Sequence, residues 1–278
     1  MYIVDVLSTS VRTEASTQPA KISVDALRHR YRGEGGRDLL ALDDVTFDLR
    51  DGEILTVVGP SGCGKSTLVS LIAGLARPES GSVLVDGTPV RGPGRDRGVV
   101  FQELAVLPWR TVRGNIGHGL EIARVPRRER ERIVTHYIAM VGLEGFEDRY
   151  PHELSGGMRQ RVAVARTLAA DPKVVLMDEP FAAVDAQTRI TLQEELLRIS
   201  IQTHKSILFV THSVDEAVFL GDRVLVFTRR PGRVNETVKV PIARSERAFD
   251  ALAGDARYLE IREHVTRLVR AETQAGGG

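Results

Sequence analysis

Between Gly59 and Thr67 the chain reads Gly-Pro-Ser-Gly-Cys-Gly-Lys-Ser-Thr. Glycines and a lysine at this spacing, GxxxxGK[ST], form a loop whose backbone amides turn inward on a phosphate chain. Glycine permits the tight curl that aims the amides of Gly62 to Thr67 at one point. The helix expected to begin inside the loop adds its positive end. Lys65 is placed to reach the outer phosphates of a nucleotide, and Ser66 to offer a hydroxyl to Mg²⁺. Gly59, Pro60, Ser61, Gly62, Cys63, Gly64, Lys65, Ser66 and Thr67 are therefore the candidate phosphate cradle. Cys63 fills a free position where a small side chain suffices, and a thiol adduct there is expected to fill the cradle and block nucleotide.

A second cluster follows far downstream. Val174–Met177 is an apolar run, of the kind buried in a parallel sheet, and it ends in Asp178 and Glu179. An acid at the end of a buried strand beside a phosphate loop can hold Mg²⁺. The next acid, Glu179, can polarise an attacking water. Between the two clusters lies Leu154-Ser155-Gly156-Gly157-Met158. A serine and two glycines opening a helix offer an anion a hydroxyl, bare amides and a positive dipole.

The elements that must carry these groups alternate in type. Ile22–Leu27 and Val45–Leu49 alternate like half-buried strands, with RGEGGRD as a loop between them. Ile54–Val58 is an apolar strand leading into the phosphate loop, and Leu68–Ala76 continues as helix. Short strands are expected at Ser82–Val85 and Gly98–Phe101. The stretch from Thr111 to Met140 reads as helices with arginine-rich solvated faces, and a further helix runs from Ser155 to about Ala169. Then come the acid-tipped strand, a helix at Arg189–Ile201, a strand at Ser206–Val210, a helix at Val214–Leu220 and a strand at Arg223–Phe227. Alternating strands and helices with buried strands predict an α/β core around a parallel sheet. Glu103–Glu153 interrupts it as a helical insertion. Residues 1–20 read as a flexible leader, with a short strand at Tyr2–Leu7. Arg244–Thr273 reads as one charged amphipathic helix.

Composition narrows the setting. Hydrophobic residues make up 42% and charged residues 27%, which is ordinary for a globular chain. A formal net charge of +1 gives no basic surplus, so nucleic acid is not expected as a partner. The single cysteine excludes an internal disulfide and suits a reducing compartment. There is no run of about 18 apolar residues to span a membrane, and the first residues lack the basic flank and apolar stretch of a signal peptide. The expected location is therefore cytoplasmic, on the inner face of the cell membrane, with attachment through a partner.

Leu154-Ser155-Gly156-Gly157-Met158-Arg159-Gln160-Arg161 resembles the signature motif of the ABC ATPases, LSGGQ followed by a basic and polar helix. Met158 stands where that family usually has glutamine; the serine and both glycines are kept. The resemblance covers Ile22 to Val240. It implies a P-loop NTPase fold with a RecA-like parallel-sheet core, an N-terminal antiparallel β subdomain and a helical subdomain at about 103–157, with residues 241–278 as a C-terminal helix and tail. It also implies roles for further residues. Tyr31 looks like the aromatic that stacks on adenine. Gln102 looks like the glutamine that touches Mg²⁺ and the attacking water. Asp185 lies in a segment similar to the D-loop, although Ala183 and Val184 depart from its usual SALD. His212 looks like the switch histidine at the γ-phosphate.

In that family the signature motif closes on ATP held by a second copy, so Ser155, Gly156 and Gly157 are expected to act on a partner's nucleotide in a head-to-tail dimer. Three further stretches, 107–115, 181–189 and 223–233, resemble the ATPases of nitrate, sulfonate and taurine importers. That resemblance implies a transmembrane permease dimer as partner, with an extracytoplasmic solute-binding protein acting indirectly. It places Val106, Leu107 and Trp109 in the groove that receives the permease. An ABC exporter or a non-transport ABC ATPase is the alternative; a GTPase is not expected, since no NKxD segment is present.

Overall fold

The computed structural model describes residues 20–33, 38–103 and 105–274. The expected strand at Tyr2–Leu7 and all of the expected leader except Ala20 lie outside them. In chain order the elements are β1 (Ala20–Tyr31), β2 (Leu39–Arg50), β3 (Ile54–Val58), α1 (Lys65–Ala73), β4 (Ser80–Val85), β5 (Thr88–Pro89) and β6 (Arg97–Val100). Next come α2 (Val112–Ile122), α3 (Arg127–Met140), α4 (Gly156–Ala169), β7 (Val174–Asp178), α5 (Ala186–Thr203) and β8 (Ser206–Thr211). The chain continues through α6 (Val214–Leu220), β9 (Arg223–Phe227), β10 (Val234–Lys239), α7 (Phe249–Leu252) and α8 (Ala256–Gln274).

Two sheets result. One is antiparallel, in the order β2-β1-β4-β5. The other has the order β10-β9-β3-β8-β7-β6, parallel except for β10 at its edge. This is the expected α/β fold, a P-loop NTPase core joined to an antiparallel sheet and a group of helices. The strand β3, which feeds the phosphate loop, lies inside the parallel sheet between β8 and β9.

The sequence explains why that sheet is buried on both faces. Successive strand side chains point to opposite faces. In β3, Ile54 and Val58 join one core cluster while Leu55 and Val57 join the other. The same alternation holds in β7, with Val175 and Met177 on one face and Val174 and Leu176 on the other. Both faces are apolar, so both are covered. Helices α4, α5 and α6 cover one face; α1 and the antiparallel sheet cover the other.

Several boundaries differ from the sequence expectation. β1 and β2 run well past Leu27 and before Val45. Ala26 takes φ 45° and donates its amide to Thr46 Oγ1. The register shifts between Val24 and Leu27, so a bulge breaks the apolar alternation without ending the pairing. Phe101 falls outside β6 and is exposed. Helix begins only at Val112, where Thr111 caps α2 by accepting from the Gly114 amide at 3.2 Å. β10 carries alternating polar residues, an edge strand that apolar periodicity does not reveal.

The expected single helix over Arg244–Thr273 is a turn at Arg244–Glu246 followed by α7 and α8. Arg247 breaks it. Its guanidinium is buried and donates to the carbonyls of Phe219, Leu220 and Gly221, which end α6, and to that of Ile242. Carbonyls at a helix end lack intrahelical partners, so Arg247 satisfies α6 from outside. Asp255 then starts α8, its Oδ1 accepting the Arg257 and Tyr258 amides at 2.8 and 3.2 Å. Arg247→Met should strand these buried carbonyls and cost about 3 kcal/mol. In a thermal melt that is a drop of roughly 6–10 °C for a chain of this size; a midpoint within 2 °C of the parent would show that water replaces the guanidinium at low cost.

Candidate functional site

The carboxyl ends of β3, β8, β7, β6 and β9 all lie on one edge of the parallel sheet, where open α/β sheets hold their ligands. The loop after β3 leads. Gly64 sits at φ 106°, and a Cβ there would come within 2.7 Å of Leu42 Cδ2 and 2.8 Å of the Ala41 carbonyl. Only glycine fits this turn into α1. A cleft of about 220 Å³ opens above the loop, lined by Ser61, Gly62, Gly64, Lys65, Ser66 and Thr67, with Tyr31 and Glu179 also on its wall.

Within the cleft the polar groups are paired with one another. Lys65 Nζ donates to the carbonyls of Gly59 at 2.9 Å and Pro60 at 3.2 Å, and lies 3.9 Å from Glu179 Oε1. Ser66 Oγ donates to Asp178 Oδ1 at 3.1 Å. His212 Nδ1 lies 2.9 Å from Glu179 Oε2. Glu179 adopts φ 46°, a left-handed conformation that is strained for glutamate, and its amide donates to the Val210 carbonyl at 2.9 Å. The turn out of the strand brings its carboxylate to both Lys65 and His212. Tyr31 Oη lies 3.1 Å from Thr67 Oγ1, so the exposed tyrosine ring stands at the end of the cleft. Burial pushes the Asp178 carboxyl above its usual range, opposed by the Ser66 hydroxyl. Two neighbouring oxygen donors of this kind, a hydroxyl and a carboxylate, suit a hard cation such as Mg²⁺.

Not every candidate residue lies here. Gln102 is exposed just beyond β6 and does not line the cleft. Ser155, Gly156, Gly157 and Asp185 are also absent from its wall. They form a separate group where α4 and α5 begin. Ser155 Oγ accepts the Met158 amide at 3.2 Å and so caps its own helix. A Cβ on Gly157 would lie 2.5 Å from Thr188 Cγ2, so this turn packs directly on α5. Asp185 caps α5 by accepting from Thr188 at 3.0 Å, a contact that holds its carboxyl below the usual range.

Other residues with parts to play are invisible in the motifs. Asn115 is fully buried and staples the loop before α2: Leu107 donates to its Oδ1 at 2.8 Å, and its Nδ2 donates to Leu107, Arg110 and Thr111 carbonyls. Arg166 of α4 donates to the Ala105 carbonyl at 2.6 Å. Arg230, on the loop after β9, lines the nucleotide cleft. The run of arginines around it, at 229, 230 and 233, was the only sequence signal.

Comparison with known proteins places this geometry. The profile of the ABC transporter family matches residues 42–182. An uncharacterised ABC transporter ATP-binding protein of Methanocaldococcus jannaschii is 53% identical over 252 residues, covering 91% of this chain and 92% of that protein. The chain belongs to the ABC transporter family. A taurine import ATP-binding protein of Pseudomonas putida is 44% identical over 243 residues, 86% of this chain and 93% of its own. Among solved structures, the dimeric ATP-binding cassette MJ0796 in a post-hydrolysis state with ADP and Pi aligns with a TM-score of 0.70 at 29% identity, covering 80% of this chain and all of that one. This member of the ABC family is an ATP-binding and ATP-hydrolysing cassette, and its cleft is where the sequence puts the phosphate loop.

One sequence expectation needs correction. Cys63 does not point into the cradle. It is 1% exposed and packs in the core with Leu42, Leu68 and Phe227 beneath the loop, while its amide donates to the Pro60 carbonyl at 3.3 Å. Burial raises its thiol above the ordinary range, against the pull of Lys65. Thiolate is the reactive form, so both protonation and shielding slow its chemistry. Labelling with a thiol reagent at neutral pH should be at least about tenfold slower in the folded cassette than in denatured chain. The rate should climb as pH is raised past the usual thiol range. Labelling as fast as an exposed cysteine would show the loop opens freely.

Proposed function

We propose that this cassette is the ATPase subunit of an importer for a small solute, of the nitrate, sulfonate and taurine type, and that it works as a pair. The arrangement that carries the reading is the split between two groups: a phosphate cleft with Lys65, Ser66 and Glu179 on its wall and Asp178 and His212 bonded to Ser66 and Glu179 behind it, and a separate helix start at Ser155–Gly157 beside Asp185. The similarity to taurine import proteins supports an organic or inorganic anion as cargo. Trp109 supports a partner surface, since it stands 71% exposed on the loop that Asn115 holds rigid.

In this scheme Tyr31 takes the adenine, and the amides of Gly62 to Thr67 with Lys65 hold the phosphates. Gly59, Pro60 and the small, buried side chain of Cys63 set the curve of the loop. Ser66 and Asp178 would hold Mg²⁺, which neutralises phosphate charge; Gln102, outside the cleft in this structure, would have to move in to join them. Glu179 orients and polarises the attacking water, and His212 holds Glu179 on one side while reaching the γ-phosphate on the other. Nucleotide displaces the internal partners of Lys65. Ser155, Gly156 and Gly157 of a second copy then close on the same phosphates, with Asp185 at the seam. Hydrolysis releases that closure and biases a permease dimer between two states; the solute-binding protein delivers cargo to the permease's far side.

Glu179→Gln should keep ATP binding while turnover falls by about 10²–10³, the scale of a lost general base. With ATP it should elute as a dimer in gel filtration to a greater extent than the parent does. Turnover within threefold of the parent would remove Glu179 from that role. For the partner surface, Leu107→Gln with Trp109→Gln should abolish co-purification with the permease and leave ATP affinity intact. Joint loss of both would mean the loop serves the nucleotide site rather than a partner.

A further inference from the structure

The fifth strand end on the site edge has no part in the scheme above. β9 pairs parallel to β3 through Leu55↔Arg223 to Val58↔Val226, so the loop at residues 228–233 leaves the sheet directly beside the phosphate loop. That loop is fixed from three sides. The Thr228 amide donates to the Arg233 carbonyl, and Thr228 Oγ1 accepts the Arg233 amide, both at 3.0 Å. Gly232 bonds β2 in both directions, its amide to the Ala41 carbonyl and its carbonyl from the Asp43 amide. A Cβ on Gly232 would lie 2.1 Å from the Cys63 carbonyl, so the two loops are in backbone contact. The third tether comes from the far end of the chain. Glu272 of α8 accepts the Arg229 amide at 3.1 Å and Asn235 Nδ2 at 3.2 Å.

The residue held between these tethers is Arg230. Its side chain is exposed, and it lines the cleft together with Tyr31, Leu39, Ser61 and Gly62. Among the described residues, Lys65 is the other cation on that wall. A guanidinium presents a planar fork of donors that matches phosphate oxygens, and it cannot lose its charge.

We propose that Arg230 is a second cationic contact to the nucleotide's polyphosphate, and that α8 holds it in reach through Glu272. The proposal rests on the cleft being the nucleotide site, the reading given above. It gives the C-terminal helix a function: whatever moves α8 from the β9–β10 hairpin loosens the grip on nucleotide. A partner at the C-terminal end would in this way tune ATP affinity without touching the cleft.

The test is calorimetric binding of MgATP and MgADP to the full-length chain and its variants. Arg230→Gln should weaken both nucleotides about five- to tenfold, the scale of one partly exposed charge-assisted contact. Arg230→Lys should recover part of the loss, and the melting temperature without nucleotide should not change. Glu272→Gln should weaken binding about two- to threefold, a partial loss of the same contact, with no further loss in the Arg230→Gln background. Lys65→Ala is the reference. If it abolishes binding while Arg230→Gln stays within twofold of the parent, the proposal fails and the site reading stands. If Lys65→Ala binds like the parent, the site reading itself fails. Additive losses from Arg230→Gln and Glu272→Gln would sever α8 from the contact.

Discussion

The site depends on the last rung of the parallel sheet. β3, β8 and β7 run in step, so that Val58 lies opposite Thr211 and Asp178 opposite Val210. One bond beyond, the Glu179 amide closes on the Val210 carbonyl, and the chain turns into a left-handed conformation. A one-residue slip would swap the faces of every side chain on β7. Asp178 would then leave Ser66, and Glu179 would leave Lys65 and His212. Two apolar faces on each inner strand prevent the slip, because a slipped strand would disrupt packing in both core clusters. The chemistry is therefore set by packing some distance beneath it, and the strain at Glu179 persists because the sheet over-determines it.

The charges at that edge are already satisfied before any nucleotide arrives. Lys65 bonds its own loop and faces Glu179; Ser66 bonds Asp178; His212 bonds Glu179. Binding is thus an exchange of partners, and only the difference between old and new partners appears as affinity. The internal pairs preorganise the cleft without making it a permanent trap. They also keep Glu179 engaged with His212 and Lys65, which in the proposed scheme holds its carboxylate in place for the attacking water.

Much of this was legible in the sequence, and the boundary of legibility is physical. The phosphate loop, the acid pair and the helix cap at Ser155 are local patterns, in which neighbours in sequence are neighbours in space. Apolar strands alternating with helices pointed to the parallel core for the same reason. Contacts between distant segments were not legible. Asn115 fell inside the stretch read as helix from Thr111, yet its amide holds four backbone bonds of the preceding loop. Arg247 read as one charge in an amphipathic helix, and it is a buried cap for α6. Cys63 sat inside the motif, but the motif does not say which way a side chain faces. The bulge at Ala26 and the polar edge strand β10 hid from apolar periodicity because neither follows it.

The two anion-binding groups stay apart for a structural reason. α4 starts on the side of the helices at 112–169, packed through Gly157 against α5, while the cleft is built from β3, β7, β8 and the antiparallel sheet. Both ends are rigid: Gly157 has no room for a Cβ, and Gly64 has none either. Neither can swing to the other without unpacking its helix. A start of α4 with an exposed serine and glycine at Ser155 and Gly156, placed away from its own chain's cleft, has a use in the proposed pair once a second chain supplies a phosphate. In the proposed pair, two copies related by a twofold axis would satisfy both groups at once, each cleft closed by the other's helix start. On that proposal, incompleteness of the single chain is what would make closure respond to nucleotide, since the phosphates would join the two surfaces.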